Sequence, residues 1–150
     1  MKNNTARLLI IITAGVFLFT ARTAFGHVTV APRYSAPGAE QTYTIRVPTE
    51  RQSDTVRVEA EFPSEVVVVS FEPESGWTIE TKKNADGKIV GAVWSGGSLP
   101  RGESVRFRFT AHNPTQETTL GWKMVQIHAD GSRANWSPDT IVGAPPSGAE

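Results

Sequence analysis

The chain has 150 residues, no cysteine, and 15 basic side chains against 15 acidic ones. That length favours a single domain. The missing thiols exclude disulfides, zinc ribbons and fingers, iron–sulfur clusters, a cysteine nucleophile and a thiolate copper site, and the charge balance argues against a general nucleic-acid binder.

The N-terminus opens with Met1-Lys2-Asn3-Asn4-Thr5-Ala6-Arg7. An apolar run follows from Leu8 to Thr20, and then Ala21-Arg22-Thr23-Ala24-Phe25-Gly26. A basic start, an apolar stretch of about 7–15 residues and small residues at −3 and −1 define a secretory signal peptide. Ala24 and Gly26 supply the small pair, so cleavage is expected after Gly26. A retained anchor would need about 20 apolar residues, and the run is shorter. The expected leader, 1–26, carries Lys2, Arg7 and Arg22 and no acid. Taking these three from the 15 basic residues leaves 12 against 15 acidic, a formal side-chain charge of −3 on residues 27–150. The expectation is an exported, periplasmic or otherwise extracytoplasmic domain over 27–142. No later run is long enough to span a membrane. The small, Pro/Gly-rich stretch 143–150 is expected to be a flexible tail.

The rest reads as strands. Tyr43–Val47 alternates before Pro48. Thr55–Phe62 alternates with Val56, Val58, Ala60 and Phe62 on one face, the period-2 signature of a half-buried strand. Val66–Phe71 is a continuous β-branched run, which predicts a strand covered on both faces. Trp77–Thr81 and Ile89–Trp94 flank Asn84-Ala85-Asp86-Gly87, and Asp-Gly predicts a hairpin turn with positive φ at both central residues. Ser104–Ala111 turns Val105, Phe107 and Phe109 inward. Thr118–His128 reads as one strand, followed by an Asp130-Gly131 turn and a strand over Arg133–Trp136. No window has helical period. Strands at this spacing with Gly, Pro and Asp between them predict a single all-β, immunoglobulin-like or cupredoxin-like antiparallel β-sandwich.

The chemistry gathers at the expected new N-terminus. A cut after Gly26 makes His27 the first residue. It then offers a metal the free α-amine and the imidazole Nδ1, which close one chelate ring. Such an amine has an ordinary pKa of about 7.7–8.0, so a metal displaces its proton near neutral pH. Nitrogen donors in tetragonal geometry suit Cu(II). Glu50 ends an alternating strand where the chain breaks, and a carboxylate held there can complete a metal site; the competing reading is a solvent-facing loop acid. His112 and His128 read as surface or loop histidines. Met124 is the one methionine after the leader, which argues against a thioether Cu(I) site. There is no His-x-x-x-His, Gly-x-Ser-x-Gly or phosphate loop, so an enzyme is not expected. Of the four tryptophans, Trp77 and Trp94 read as core and Trp122 as core or surface. Trp136 is either a lid on the sandwich or the aromatic wall of a site.

Several of these pieces fall in one order: His27-Val28-Thr29-Val30-Ala31-Pro32 after a leader, Tyr43-Thr44-Ile45-Arg46-Val47-Pro48-Thr49-Glu50, Gly76-Trp77, and Asp130-Gly131-Ser132 followed by Trp136. Together they resemble the YcnI-like family (DUF1775), across essentially all of 27–150. The resemblance implies an exported β-sandwich that binds Cu(II) through a single-histidine brace. His27 would give the amine and imidazole, Glu50 the carboxylate, and Trp136 would lie against the metal. Glu40 and Gln41 are the nearby competitors of Glu50. A neutral indole N–H is a donor without a lone pair, so Trp136 would either lose its proton to the metal or shield it with its ring. The role implied is a copper metallochaperone or copper-uptake accessory, working with a membrane copper transporter or another copper chaperone. Two alternatives stand beside it. One is a copper oxidase with a two-histidine brace completed by His112 or His128. The other is a metal-free partner-binding module.

Overall fold

The computed structural model describes residues 26–147. The expected leader therefore lies, apart from Gly26, outside the described residues, as does the end of the expected tail. Twelve strands are present and, among the described residues, no helix. In chain order they are β1 (Thr29–Ala31), β2 (Tyr34–Ser35), β3 (Glu40–Pro48), β4 (Thr55–Glu61), β5 (Val67–Phe71) and β6 (Thr78–Lys83). Then follow β7 (Ile89–Leu99), β8 (Ser104–His112), β9 (Thr118–Gly121), β10 (Lys123–His128), β11 (Arg133–Trp136) and β12 (Asp139–Val142).

Two antiparallel sheets form the sandwich, in the orders β1-β3-β8-β5 and β11-β10-β4-β7-β6. A small third sheet, β2-β12-β9, closes one side, with β2 and β12 parallel. Alternation sets the inward faces. Tyr43, Ile45 and Val47 on β3 and Val105, Phe107 and Phe109 on β8 meet Val58, Ala60 and Trp94 from the other sheet. Trp94 stacks on Phe107 with ring centroids 4.7 Å apart, and Phe109 packs against both Tyr43 and Phe62. Such aromatic pairs add about 0.5–1.5 kcal/mol each beyond the area they bury. Trp122 is fully buried, its Nε1–H donated to Thr140 Oγ1 at 3.0 Å. No described helix is long and apolar enough to cross a membrane.

Four expectations need correction. The run Thr118–His128 is two strands in two sheets. The chain changes sheet at Gly121-Trp122, where the Trp122 N–H turns aside to the Pro138 carbonyl. The Val66–Phe71 run is not covered on both faces: β5 is an edge strand, with Val67 49% and Val69 45% exposed. The hairpin between β6 and β7 has positive φ at Gly87 alone. Its Gly87 N–H bonds to the Asn84 carbonyl at 3.0 Å, and Asn84 Oδ1 accepts the N–H groups of Asp86 and Lys88. This is a longer loop ended by a left-handed glycine, not a two-residue turn.

The fourth correction shapes the site. Simple alternation turns Val56 inward with Val58 and Ala60. Instead the β4–β7 register shifts between Thr55 and Arg57, and the β4–β10 register shifts between Ile127 and His128. A bulge re-aims the side chains beside it. Here Thr55 and His128 are buried and Val56 only half-buried. His128 is thus an interior histidine at 2% exposure, not a surface one. The inward face of β10 runs Met124, Gln126, His128, passing from apolar to polar toward one end of the sandwich.

Candidate metal centre

That end holds a cavity of about 490 Å³. It is lined by His27, Pro48, Glu50, Arg51, Gln126, His128 and Trp136, among others. Each wall has a sequence reason to be there. His27 precedes β1, whose short pairing with β3 brings Thr29 opposite Arg46. Glu50 stands two residues past the end of β3, where Pro48 ends the ladder. Trp136 is the last residue of β11, opposite Met124 on β10.

His27 is exposed, whereas Glu50 and Trp136 are half-buried. The rings of His27 and Trp136 are T-shaped, with centroids 5.4 Å apart and planes at 84°. Glu50 Oε1 accepts the backbone N–H of Gly26 at 2.8 Å, so this carboxylate reaches the main chain one residue before His27.

Behind these groups lies a buried polar network. The Trp136 Nε1–H donates to Gln126 Oε1 at 3.1 Å. Gln126 Nε2 donates to the Pro48 carbonyl at 2.8 Å and to Thr55 Oγ1 at 2.7 Å. Thr55 Oγ1 is also 2.7 Å from Thr49 Oγ1 and 3.5 Å from His128 Nδ1, the last a weak contact. Burial pushes the His128 pKa down, and the Arg51 charge adds to this; Asp130 opposes it. His128 is therefore held neutral at pH 7.

His27, Glu50 and Trp136 thus line one cavity. The carboxylate-side competitors do not. Glu40 and Gln41 begin β3, and Pro48 at its other end lines the cavity. Eight residues of strand separate Glu40 from Pro48 by roughly 27 Å. His112 is paired in register with Glu40, 3.4 Å from its carboxylate, and is far from the cavity too. His128 lines it but faces Thr55. Among the described residues, no three His, Asp or Glu side chains gather as a metal cluster. Sequence reading did not single out Gln126, Thr49 or Thr55. The only signal was a polar residue at an inward position of β10, visible once the strand's phase is known.

The donor chemistry at the cavity mouth is nitrogen and oxygen. The lone described methionine, Met124, is in the core and does not line the cavity. Fold and site together define an immunoglobulin-like β-sandwich with an N/O-lined recess where the first strand begins. The chain belongs to the DUF1775 family, described as a domain of unknown function, which it matches over residues 27–147. It is 34% identical over 135 residues to the copper-binding protein CutI of Bacillus subtilis (strain 168). That alignment covers 89% of this chain and 66% of the relative, just under two thirds of its length. An immunoglobulin-like protein from Nocardia farcinica superimposes with a TM-score of 0.69 at 23% identity, over 79% of this chain and 99% of that one. A cohesin–dockerin complex structure from Clostridium thermocellum gives 0.54 at 9% identity, over 78% and 98%. These two show the shared sandwich fold.

Proposed function

We propose that this chain is exported, is cut after Gly26, and binds Cu(II) through a single-histidine brace. The His27 amine and imidazole and the Glu50 carboxylate are the ligands, and Trp136 is the adjoining wall. The observation that carries the reading is the convergence of His27, Glu50 and Trp136 on one cavity, with Glu50 already within hydrogen-bond reach of the main chain beside His27. The family match begins at His27, and the Bacillus relative is a copper-binding protein; both support it. Copper here is cargo. A site of two nitrogens and a carboxylate is hard, and it favours Cu(II) over Cu(I), which prefers thiolate and thioether. One-electron reduction of the bound ion by an external reductant such as a thiol would give Cu(I), which this site holds weakly and would pass to a partner, the role of a metallochaperone or uptake accessory working with a membrane copper transporter or another copper chaperone.

The test is titration of the chain beginning at a native His27 with Cu(II). The expected result is one copper per chain. No stoichiometric binding would overturn the reading in favour of a metal-free partner-binding module. Loss of binding on His128→Ala would favour a two-histidine brace instead.

A further inference from the structure

The indole of Trp136 has its one polar atom committed. Its Nε1–H donates to Gln126 Oε1 at 3.1 Å. The acceptor cannot turn away freely, because the other end of the same amide donates twice, to Pro48 O and to Thr55 Oγ1. Flipping the amide would set Gln126 NH2 against the indole N–H and its oxygen against a carbonyl, so the bonds fix its orientation. Gln126 is 2% exposed, and a buried acceptor left without a donor is costly. For the Trp136 nitrogen to bind copper it would have to lose its proton and its Gln126 partner together, leaving the amide oxygen buried and unpaired.

We propose that Gln126 is a positioning residue of the copper site: anchored on Pro48 and Thr55, it grips the Trp136 N–H, so the indole stands as a neutral wall beside His27 and its nitrogen stays out of the metal's coordination. This rests on the copper reading above. The inward face of β10 supplies the grip from the interior, and β11 only carries the ring. The three bonds also tie two walls of the cavity together. Pro48 leads through Thr49 to Glu50, and Thr49 and Thr55 share a hydroxyl contact.

The experiment uses the chain from His27 as wild type, Gln126→Met, Trp136→Phe and the double variant. Methionine keeps the length of glutamine and removes its hydrogen bonds. In metal-free protein, the Trp136 indole N–H followed by NMR should exchange with solvent at least about 10-fold faster in Gln126→Met. Cu(II) affinity should fall about 10-fold in Gln126→Met, the low end for losing a partner that orients a metal site. In the Trp136→Phe background the same change should cost less than about 3-fold, because the grip has nothing to hold. Calorimetry in buffers of different ionisation enthalpy should count the same protons released on Cu(II) binding by wild type and Trp136→Phe. That count needs no substitution at Gln126, so it stands even where Gln126→Met folds poorly. An equal loss from Gln126→Met in both backgrounds overturns the proposal, as does an extra proton released by wild type. Failure of wild type itself to bind copper overturns the copper reading and this proposal with it, whereas unchanged exchange at the indole overturns the grip alone.

Discussion

His27 and Trp136 meet as a T-shaped pair with centroids 5.4 Å apart, although 108 positions in sequence separate them. One residue lies at the head of the first strand and the other at the end of an edge strand of the opposite sheet. The sandwich closes around its core and brings its first residues back against β11. A chelating residue at a chain terminus is normally free to move; in the brace we propose, the Trp136 ring limits where His27 can go.

Blocking the terminus is the sharpest test of the brace. Acetylation of the His27 α-amine leaves every side chain in place and removes one ligand. Losing an outer-shell partner costs about 10–100-fold in metal affinity, and losing a ligand outright should exceed that. Isothermal titration of the acetylated and free chains with Cu(II) measures the difference. Equal affinities would mean that the amine is not a ligand.

Glu50→Gln should weaken Cu(II) by more than about 10-fold while leaving the melting temperature nearly unchanged. The side chain is half-buried at the cavity mouth and belongs to no core cluster. Its isosteric amide keeps an oxygen able to accept a hydrogen bond and lacks the charge that holds the cation. Parallel thermal melts and titrations separate the two effects.

Copper should leave on reduction. A competition titration against a Cu(I) chelator and a Cu(II) chelator compares the two oxidation states in one protein. The expected result is weaker Cu(I) binding by at least about 100-fold, since nitrogen and oxygen donors lack the soft sulfur that Cu(I) selects. Comparable affinities would remove the release mechanism.

The metal-free protein should lose stability in mild acid through His128. Its folded pKa is depressed, first by burial and then by Arg51. The unfolded chain, with an ordinary histidine value of about 6.5, therefore binds the proton first. The stabilising contribution is fully present above the unfolded value and is lost as pH falls through the folded one. Melting curves from pH 7.5 down to 5 should show a falling midpoint, with a shallower slope in His128→Gln.

Gly97→Ala should damage the fold and spare the site. A Cβ there would overlap the indole ring of Trp77, and Trp77 itself packs on Phe107. Displacing a packed ring costs about 1–3 kcal/mol, read as a lower denaturant midpoint. Neither residue lines the cavity that holds His27 and Glu50, so Cu(II) affinity should not change.

Much of the sandwich was legible because alternation is a local signal. Ser104–Ala111 announces its inward Val105, Phe107 and Phe109, and all three are buried. Thr55 and His128 were not legible, because a bulge is a mismatch between two strands and neither strand encodes it alone. Likewise, a β-branched run such as Val66–Phe71 does not say whether its strand will be central or at an edge; that depends on the order of the sheet. The ligand candidates stood out by being rare or oddly placed: a histidine next to an expected cut, an acid after a strand's last residue. Gln126 had neither mark. A glutamine within an alternating strand becomes informative only when its phase shows that it points inward and needs partners.

The hydrogen bond from Gly26 to Glu50 bears on timing. While the peptide bond after Gly26 is intact, the His27 nitrogen is an amide and the carboxylate is already engaged by the preceding residue. The cut we propose there would release both at once. On the cut we propose, newly made chain that still carries residues 1–26 would thus compete poorly for copper, and loading would wait for their removal.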